Sequence, residues 1–251
     1  MKERHLNIYS KKTRSDYNLY IFLNHDESLL CWFLEKERLN IENFFLITID
    51  KHIDLTNLPE ELIDKLNKFQ SSEEQLTFYK LREIIEKKFR HDNVFFIYAA
   101  MELGLINDVL IISPSERRND HKEEYKDHSG KIHKIYYICY VTDLWHPSGL
   151  GILNDNCDPK KKEIKEKIDK SDVIMDIDLD YFTYKREDKI FVINLENFDR
   201  ILNNSHLEYL LKYRTKVLTI ALEPTSCDGI RNSIQIFSRL LEYFKSFSLI
   251  D

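Results

Sequence analysis

Two short acidic stretches carry the chemistry this chain can do: Asp50-Lys51-His52-Ile53-Asp54 and Asp176-Ile177-Asp178-Leu179-Asp180. Each follows an apolar run, Phe44-Phe45-Leu46-Ile47-Thr48-Ile49 in the first case and Val173-Ile174-Met175 in the second. Side chains alternate faces along a strand, so residues two apart point the same way. Asp50, His52 and Asp54 then form one cluster, and Asp176, Asp178 and Asp180 another. Like charges packed on one strand face repel unless a cation holds them together. Carboxylates with imidazoles and no thiolates suit Mn²⁺, Mg²⁺ or Fe²⁺ better than a structural zinc. The inventory of His25, Asp50, His52, Asp54, Asp178 and Asp180 is too large for one ion and right for two. Two ions ~3.5–4 Å apart share bridging carboxylates and hold a hydroxide that is nucleophilic at neutral pH. Glu223, in Ala221-Leu222-Glu223-Pro224, is placed to hold a cationic substrate group at the same rim.

Strands and helices that alternate must position these groups. Apolar and β-branched runs predict strands over 19–23, 44–49, 109–112, 135–141, 173–178, 190–193 and 217–222. Helical periodicity predicts helices over 27–38, 73–89, 93–103, 160–169, 195–213 and 229–247. Such alternation predicts an α/β fold, a three-layer α/β/α sandwich with a mostly parallel sheet. Ligands of open parallel sheets sit outside the carboxyl ends of the strands. His25, the Asp50–His52–Asp54 group, Asp178 with Asp180, and Glu223 all fall at such ends. The polar segment 113–134, containing Ser129-Gly130, reads as a long loop or hairpin insertion. No repeat or Gly/Ser/Pro-rich linker divides the chain, so a single catalytic domain over 1–251 is expected.

Composition narrows the partners. Of the 251 residues, 43% are hydrophobic, ample for a core, and 32% are charged, above the usual ~25%. A net charge of −6 argues against a nucleic-acid binder, whose domains usually exceed a pI of ~9. No apolar run approaches the ~18 residues of a membrane span, and the polar start Met1-Lys2-Glu3-Arg4-His5 is not that of a signal peptide. Cys31, Cys139, Cys157 and Cys227 lie far apart without a C-x-x-C pair, so reduced thiols and a cytoplasmic setting are expected.

The motifs, taken in order, resemble the ureohydrolase (arginase/agmatinase) set: Asn24-His25 after a strand, Asp50-Lys51-His52-Ile53-Asp54, Asp176-Ile177-Asp178-Leu179-Asp180-Tyr181-Phe182, and Leu222-Glu223-Pro224. The wording of the third motif and the short chain resemble more closely a divergent arginase-like family whose bacterial members include peptide arginases. That resemblance implies an arginase-like fold and two Mn²⁺ per chain. It also implies conversion of arginine residues in a ribosomally made precursor peptide to ornithine, with release of urea. By the same resemblance, His25, Asp50, Asp54 and one acid of the third motif hold one manganese. Asp50, His52 and two acids of the third motif hold the other. Asp178 and Asp180 are the favoured pair, because the family has a strand residue, often Ser, where Asp176 stands. Asp176 then lies behind the ligands or serves as an alternative one. Glu223 resembles the glutamate that orients the guanidinium. The chain departs from the family at Lys51, where a small residue is usual, and at Phe22-Leu23-Asn24-His25, where G-G-D-H is usual. Residues that grip the α-amino and α-carboxylate groups of free arginine have no recognisable counterpart, which fits a peptide substrate and equally fits divergence. His128, His133 and His146 are candidates for a proton shuttle by their proximity to loops.

Other readings compete. An Asp-x-Asp after an apolar strand also opens haloacid-dehalogenase phosphatases, but only about 70 residues follow Asp180 and the first acidic stretch would go unused. A one-zinc deacylase or amidohydrolase of related fold, or a non-catalytic peptide-binding protein, would keep part of the ligand set. A homo-oligomer stays open as a further partner. Leu29, Leu30, Trp32, Phe33 and Leu34 read as core, Lys160-Lys161-Lys162 as a solvated helix start, and Cys227 as a buried inert thiol.

Overall fold

The computed structural model describes residues 9–12, 18–42, 44–70, 75–88, 95–114, 123–141, 159–203 and 205–250. Its centre is a sheet of eight strands in the order β1-β2-β10-β7-β3-β4-β6-β5. The strands β2 (Asn18–Phe22), β10 (Thr215–Ala221), β7 (Val173–Asp178), β3 (Phe44–Ile49), β4 (Ile106–Ile112) and β6 (Ile132–Ile138) run parallel. Antiparallel strands β1 (Tyr9–Lys12) and β5 (Glu124–Lys126) close the two edges. A separate hairpin pairs β8 (Thr183–Arg186) with β9 (Lys189–Val192).

The central strands are apolar on both faces because helices cover both, as parallel sheets require. Along β3, Phe44 and Leu46 enter one core cluster, and Phe45, Ile47 and Ile49 the other. The first cluster is completed by α1 (Ser28–Leu39), α2 (Glu60–Gln70), α3 (Phe78–Lys88) and α4 (Phe96–Glu102). The second is completed by α5 (Pro159–Lys170), α6 (Leu195–Leu202), α7 (Ser205–Tyr209) and α8 (Ile230–Ser246). The three-layer α/β/α class expected from the alternation is the one observed. Ile47 is fully buried at the middle of β3. Replacing it with alanine is therefore expected to lower unfolding free energy by about 2–5 kcal/mol, read from the urea midpoint. A change under ~1 kcal/mol would contradict this packing.

Several local expectations are corrected. The strand expected at 190–193 is present as β9, but it pairs with β8 in a separate hairpin, turned at Glu187, whose φ is 55°, rather than in the central sheet. The helix expected over 195–213 is interrupted: α6 ends at Leu202, and α7 runs into a wide π turn over Leu210–Arg214. The segment 113–134 does contain a hairpin, β5–β6, whose turn uses Gly130 at φ 89°; residues 115–122 lie outside the described residues. Helix α2 is an addition. It starts just after Pro59 and buries Leu62 and Leu66, one helical turn apart. Residues 73, 74, 89, 93, 94 and 204 of the expected helices, and Cys157, are outside the described residues, as is the side chain of Lys160. Among the described residues no helix is long and apolar enough to cross a membrane.

Candidate metal centre

The parallel strands β2, β3, β7 and β10 all point their carboxyl ends the same way, and each delivers polar side chains there. After β2, Asn24 is extended and His25–Glu27 make a single 3-10 turn, which drops the His25 ring inward to 1% exposure. The Phe96 ring lies 4.4 Å from it, centroid to centroid.

The two ring nitrogens of His25 meet different surroundings. Nε2 lies 2.5 Å from Asp176 Oδ2. Nδ1 lies 3.2 Å from Asp50 Oδ2 and 3.3 Å from both Asp54 Oδ2 and Asp178 Oδ2. Although crowded by those oxygens, the buried Nδ1 makes no hydrogen bond. A second group joins Asp50, His52 and Asp180: His52 Nδ1 is 3.0 Å from Asp180 Oδ2 and 3.9 Å from Asp50 Oδ1. In the His25–Asp50–Asp54 set and in the Asp50–His52–Asp180 set, the ligand atoms lie within 4.8 Å of one another. Asp50 belongs to both.

Local backbone turns set this convergence. In three of the carboxylates one oxygen is tied to main chain while the other faces the cluster. Asp50 Oδ1 accepts from the His52 N–H (2.8 Å), and Asp178 Oδ1 from the Asp180 N–H (3.0 Å), capping the turn over Leu179–Phe182. Asp180 Oδ1 accepts from the Lys51 N–H at 3.4 Å, and its Oδ2 is buried without a hydrogen bond. Asp54 and Glu223 hold φ of 49° and 38°, a left-handed backbone that costs a non-glycine residue roughly 1–3 kcal/mol and recurs at functional sites. Glu223, buried just past β10, accepts the His25 backbone N–H through Oε1 at 2.7 Å.

Without a cation the cluster binds protons instead. Burial, then the Asp54 charge, pushes Asp50 up to about 6. Burial and the charges of Asp180 and Asp50 push Asp178 well above the carboxylate range; burial likewise raises Asp180 and Glu223. Burial alone would lower His25, but Asp176 and the facing carboxylates outweigh it and hold the imidazole well above its ordinary value. The Asp180 carboxylate paired with it raises His52 to about 9. An oxygen- and nitrogen-donor set with an unbonded buried Nδ1 and Asp180 Oδ2 fits hard or borderline divalent cations. A cation there would replace the protons.

The structure thus brings together His25, Asp50, His52, Asp54, Asp178, Asp180 and Glu223. Asp176 takes the opposite side of the His25 ring from the other carboxylates. His52 does not stack with Asp54 on one strand face; it sits 57% exposed at the mouth, on the Asp180 side. Lys51 turns its ammonium to Thr183 Oγ1 at 3.1 Å. The shuttle candidates fare differently. His133 lies at the start of β6, at the opposite sheet edge, between Asp127 Oδ2 (3.1 Å) and Asn107 O (2.5 Å). His128 sits in the adjoining turn with its N–H on Glu102, and His146 is outside the described residues. His133→Gln is accordingly expected to lower stability by about 1–3 kcal/mol while leaving metal affinity unchanged, checked by urea unfolding beside Mn²⁺ titration. Two residues beyond the sequence reading contact the site: Thr48 and Thr219 both donate to Asp176. Cys227 is buried, its thiol facing the Leu222 carbonyl.

No protein-family model matches the sequence, and no curated protein sequence is significantly similar to it. Among solved structures, proclavaminate amidino hydrolase from Streptomyces clavuligerus superposes with a TM-score of 0.48 at 12% identity, covering 92% of this chain and 63% of that one. The chain therefore spans less than two thirds of that enzyme's length.

Proposed function

We propose that this protein is a metal-dependent hydrolase of guanidinium C–N bonds, acting with two Mn²⁺ on arginine side chains within a peptide. The observation that carries the proposal is the sharing of Asp50 between two adjacent ligand groups, around a buried His25 Nδ1 that makes no hydrogen bond. The motif order resembling the ureohydrolases supports the same reading. His25, Asp50, Asp54 and Asp178 would hold one cation, and Asp50, His52, Asp178 and Asp180 the other. Two divalent cations so placed supply a hydroxide at neutral pH and an electrophilic environment for the developing charge. The protein's own groups do the rest. Glu223, whose Oε1 is fixed on the His25 N–H, would align the cationic guanidinium. Asp50 Oδ1 and Asp178 Oδ1, tied to main chain, hold their other oxygens inward. A one-metal deacylase would need only one of the two groups, so the shared Asp50 favours the binuclear reading.

Purified protein loaded with Mn²⁺ is expected to release urea from arginine-containing peptides and leave ornithine, with the peptide losing the mass of CN2H2. Absence of both products across a varied peptide panel would sink the proposal. Glu223→Gln keeps the hydrogen bond to His25 but weakens a charge-assisted contact worth about 1.5–3 kcal/mol. It is expected to lower kcat/KM by roughly 10–100-fold with both cations retained, checked by steady-state kinetics beside metal analysis.

A further inference from the structure

Thr48, Asp176 and Thr219 are direct cross-strand neighbours on β3, β7 and β10, the three strands that also frame the metal ligands. All three are at most 1% exposed and lie on the face covered by α1. A carboxylate at the centre of a sheet is costly there, and packing alone would be served better by an apolar residue. We propose that this row is a positioning clamp for His25; the inference rests on the metal reading above.

Donor and acceptor inventories fix where each proton goes. The Trp32 indole N–H can only donate, and it meets Thr219 Oγ1 at 3.3 Å. The Thr219 hydroxyl, accepting there, turns its own proton to Asp176 Oδ1 at 2.5 Å. Thr48 donates to Asp176 Oδ2 at 3.1 Å. Asp176 accepts from both threonine hydroxyls, and as an acceptor it places the ring proton on the nitrogen it faces, His25 Nε2. The lone pair of a neutral His25 is then confined to Nδ1, the atom facing Asp50, Asp54 and Asp178. A chain from Trp32 through Thr219 and Asp176 thus sets both the tautomer and the tilt of the metal-binding imidazole, as outer hydrogen bonds do for histidine ligands. Asp176, Thr48, Thr219 and Trp32 act through His25 and are positioning residues.

The test compares Thr219→Val, Thr219→Ser and Asp176→Asn with wild type in full-length protein. Mn²⁺ affinity is measured by calorimetry, and the metal-free melting temperature reports any general damage to the fold. In the Zn²⁺-loaded, ¹⁵N-histidine-labelled protein, NMR reads which His25 nitrogen carries hydrogen. Asp176→Asn is expected to weaken Mn²⁺ binding by ~10–100-fold and to shift the Nε2–H resonance; Thr219→Val should do so toward the lower end of that range. Thr219→Ser keeps the hydroxyl and should restore wild-type affinity. Equal Mn²⁺ affinity in Thr219→Val, Asp176→Asn and wild type, or a proton found on Nδ1 in the Zn²⁺ form, would overturn the clamp alone. Wild-type protein that binds neither Mn²⁺ nor Zn²⁺ would overturn the clamp and the metal reading together.

Discussion

Asp50→Asn is expected to cost the protein both cations and nearly all turnover while leaving the metal-free fold at least as stable as before. Asp50 is common to both ligand groups, so its charge cannot be lost from one group alone. The fall in kcat/KM should exceed the ~10²–10³-fold typical of removing a single electrostatic donor. Stability moves the other way. Burial and Asp54 lift the Asp50 carboxyl to about 6, so at neutral pH the ionised group strains the empty cluster. Holding that charge buried costs on the order of 2–3 kcal/mol, part of which the neutral amide recovers while it still accepts the His52 N–H. Thermal melts in chelator, beside Mn²⁺ binding, check both halves. A destabilised metal-free variant, or one that still binds two Mn²⁺, would refute the shared-ligand geometry.

The second large effect is a pH-dependent gain in stability from metal. In the metal-free fold Asp50, Asp178, Asp180 and Glu223 are all raised, and so are His25 and His52. Raised groups favour the fold while protonated and lose that contribution as pH climbs through their folded values. For Asp50 the loss falls between the ordinary carboxylate range and about 6; for His52 it falls between the ordinary imidazole range and about 9. Metal-free stability from these groups therefore declines from acid toward alkaline pH. Divalent cations bind the deprotonated forms, so their stabilisation grows over the same interval. At a concentration ~100-fold above Kd, the ion should add about 2.7 kcal/mol near pH 8, or roughly 5–10 °C in Tm, and close to nothing near pH 5. Melts with Mn²⁺ or with chelator across this range measure it, and a shift independent of pH would contradict the assignment of these groups as ligands.

How much of this was legible in the sequence depended on whether a residue's neighbours are local. Strands β3 and β7 match the expected 44–49 and 173–178 because uninterrupted apolar runs end abruptly in aspartate, where burial gives way to the site. The strand expected at 190–193 forms, but its pairing in a separate hairpin is not legible, because Ile190 and Val192 alternate with period two in either setting. The break after Leu202 escaped notice because α6 and α7 share one apolar periodicity, with Phe198, Leu202 and Leu207 all buried. At the site, His25 and Glu223 were found through chain order. Thr48 and Thr219 were not, because threonine is ordinary in a strand and only the register of three strands puts both beside Asp176. Proximity to loops in the sequence suggests His128 and His133. Parallel pairing with β4 instead puts them at the far edge of the sheet.

The site is stitched from segments far apart along the chain: His25 meets Asp176 across 151 residues, Lys51 meets Asp180 across 129, and the His25 N–H meets Glu223 across 198. During synthesis, then, an emerging chain carries Asp50 and His52 long before it carries Asp178. Until that third stretch leaves the ribosome, the early ligands form an incomplete chelate with little hold on a cation. Loading would then be a late event in the protein's biogenesis, and a captured ion would tie β2 and β3 to β7, a strand made much later.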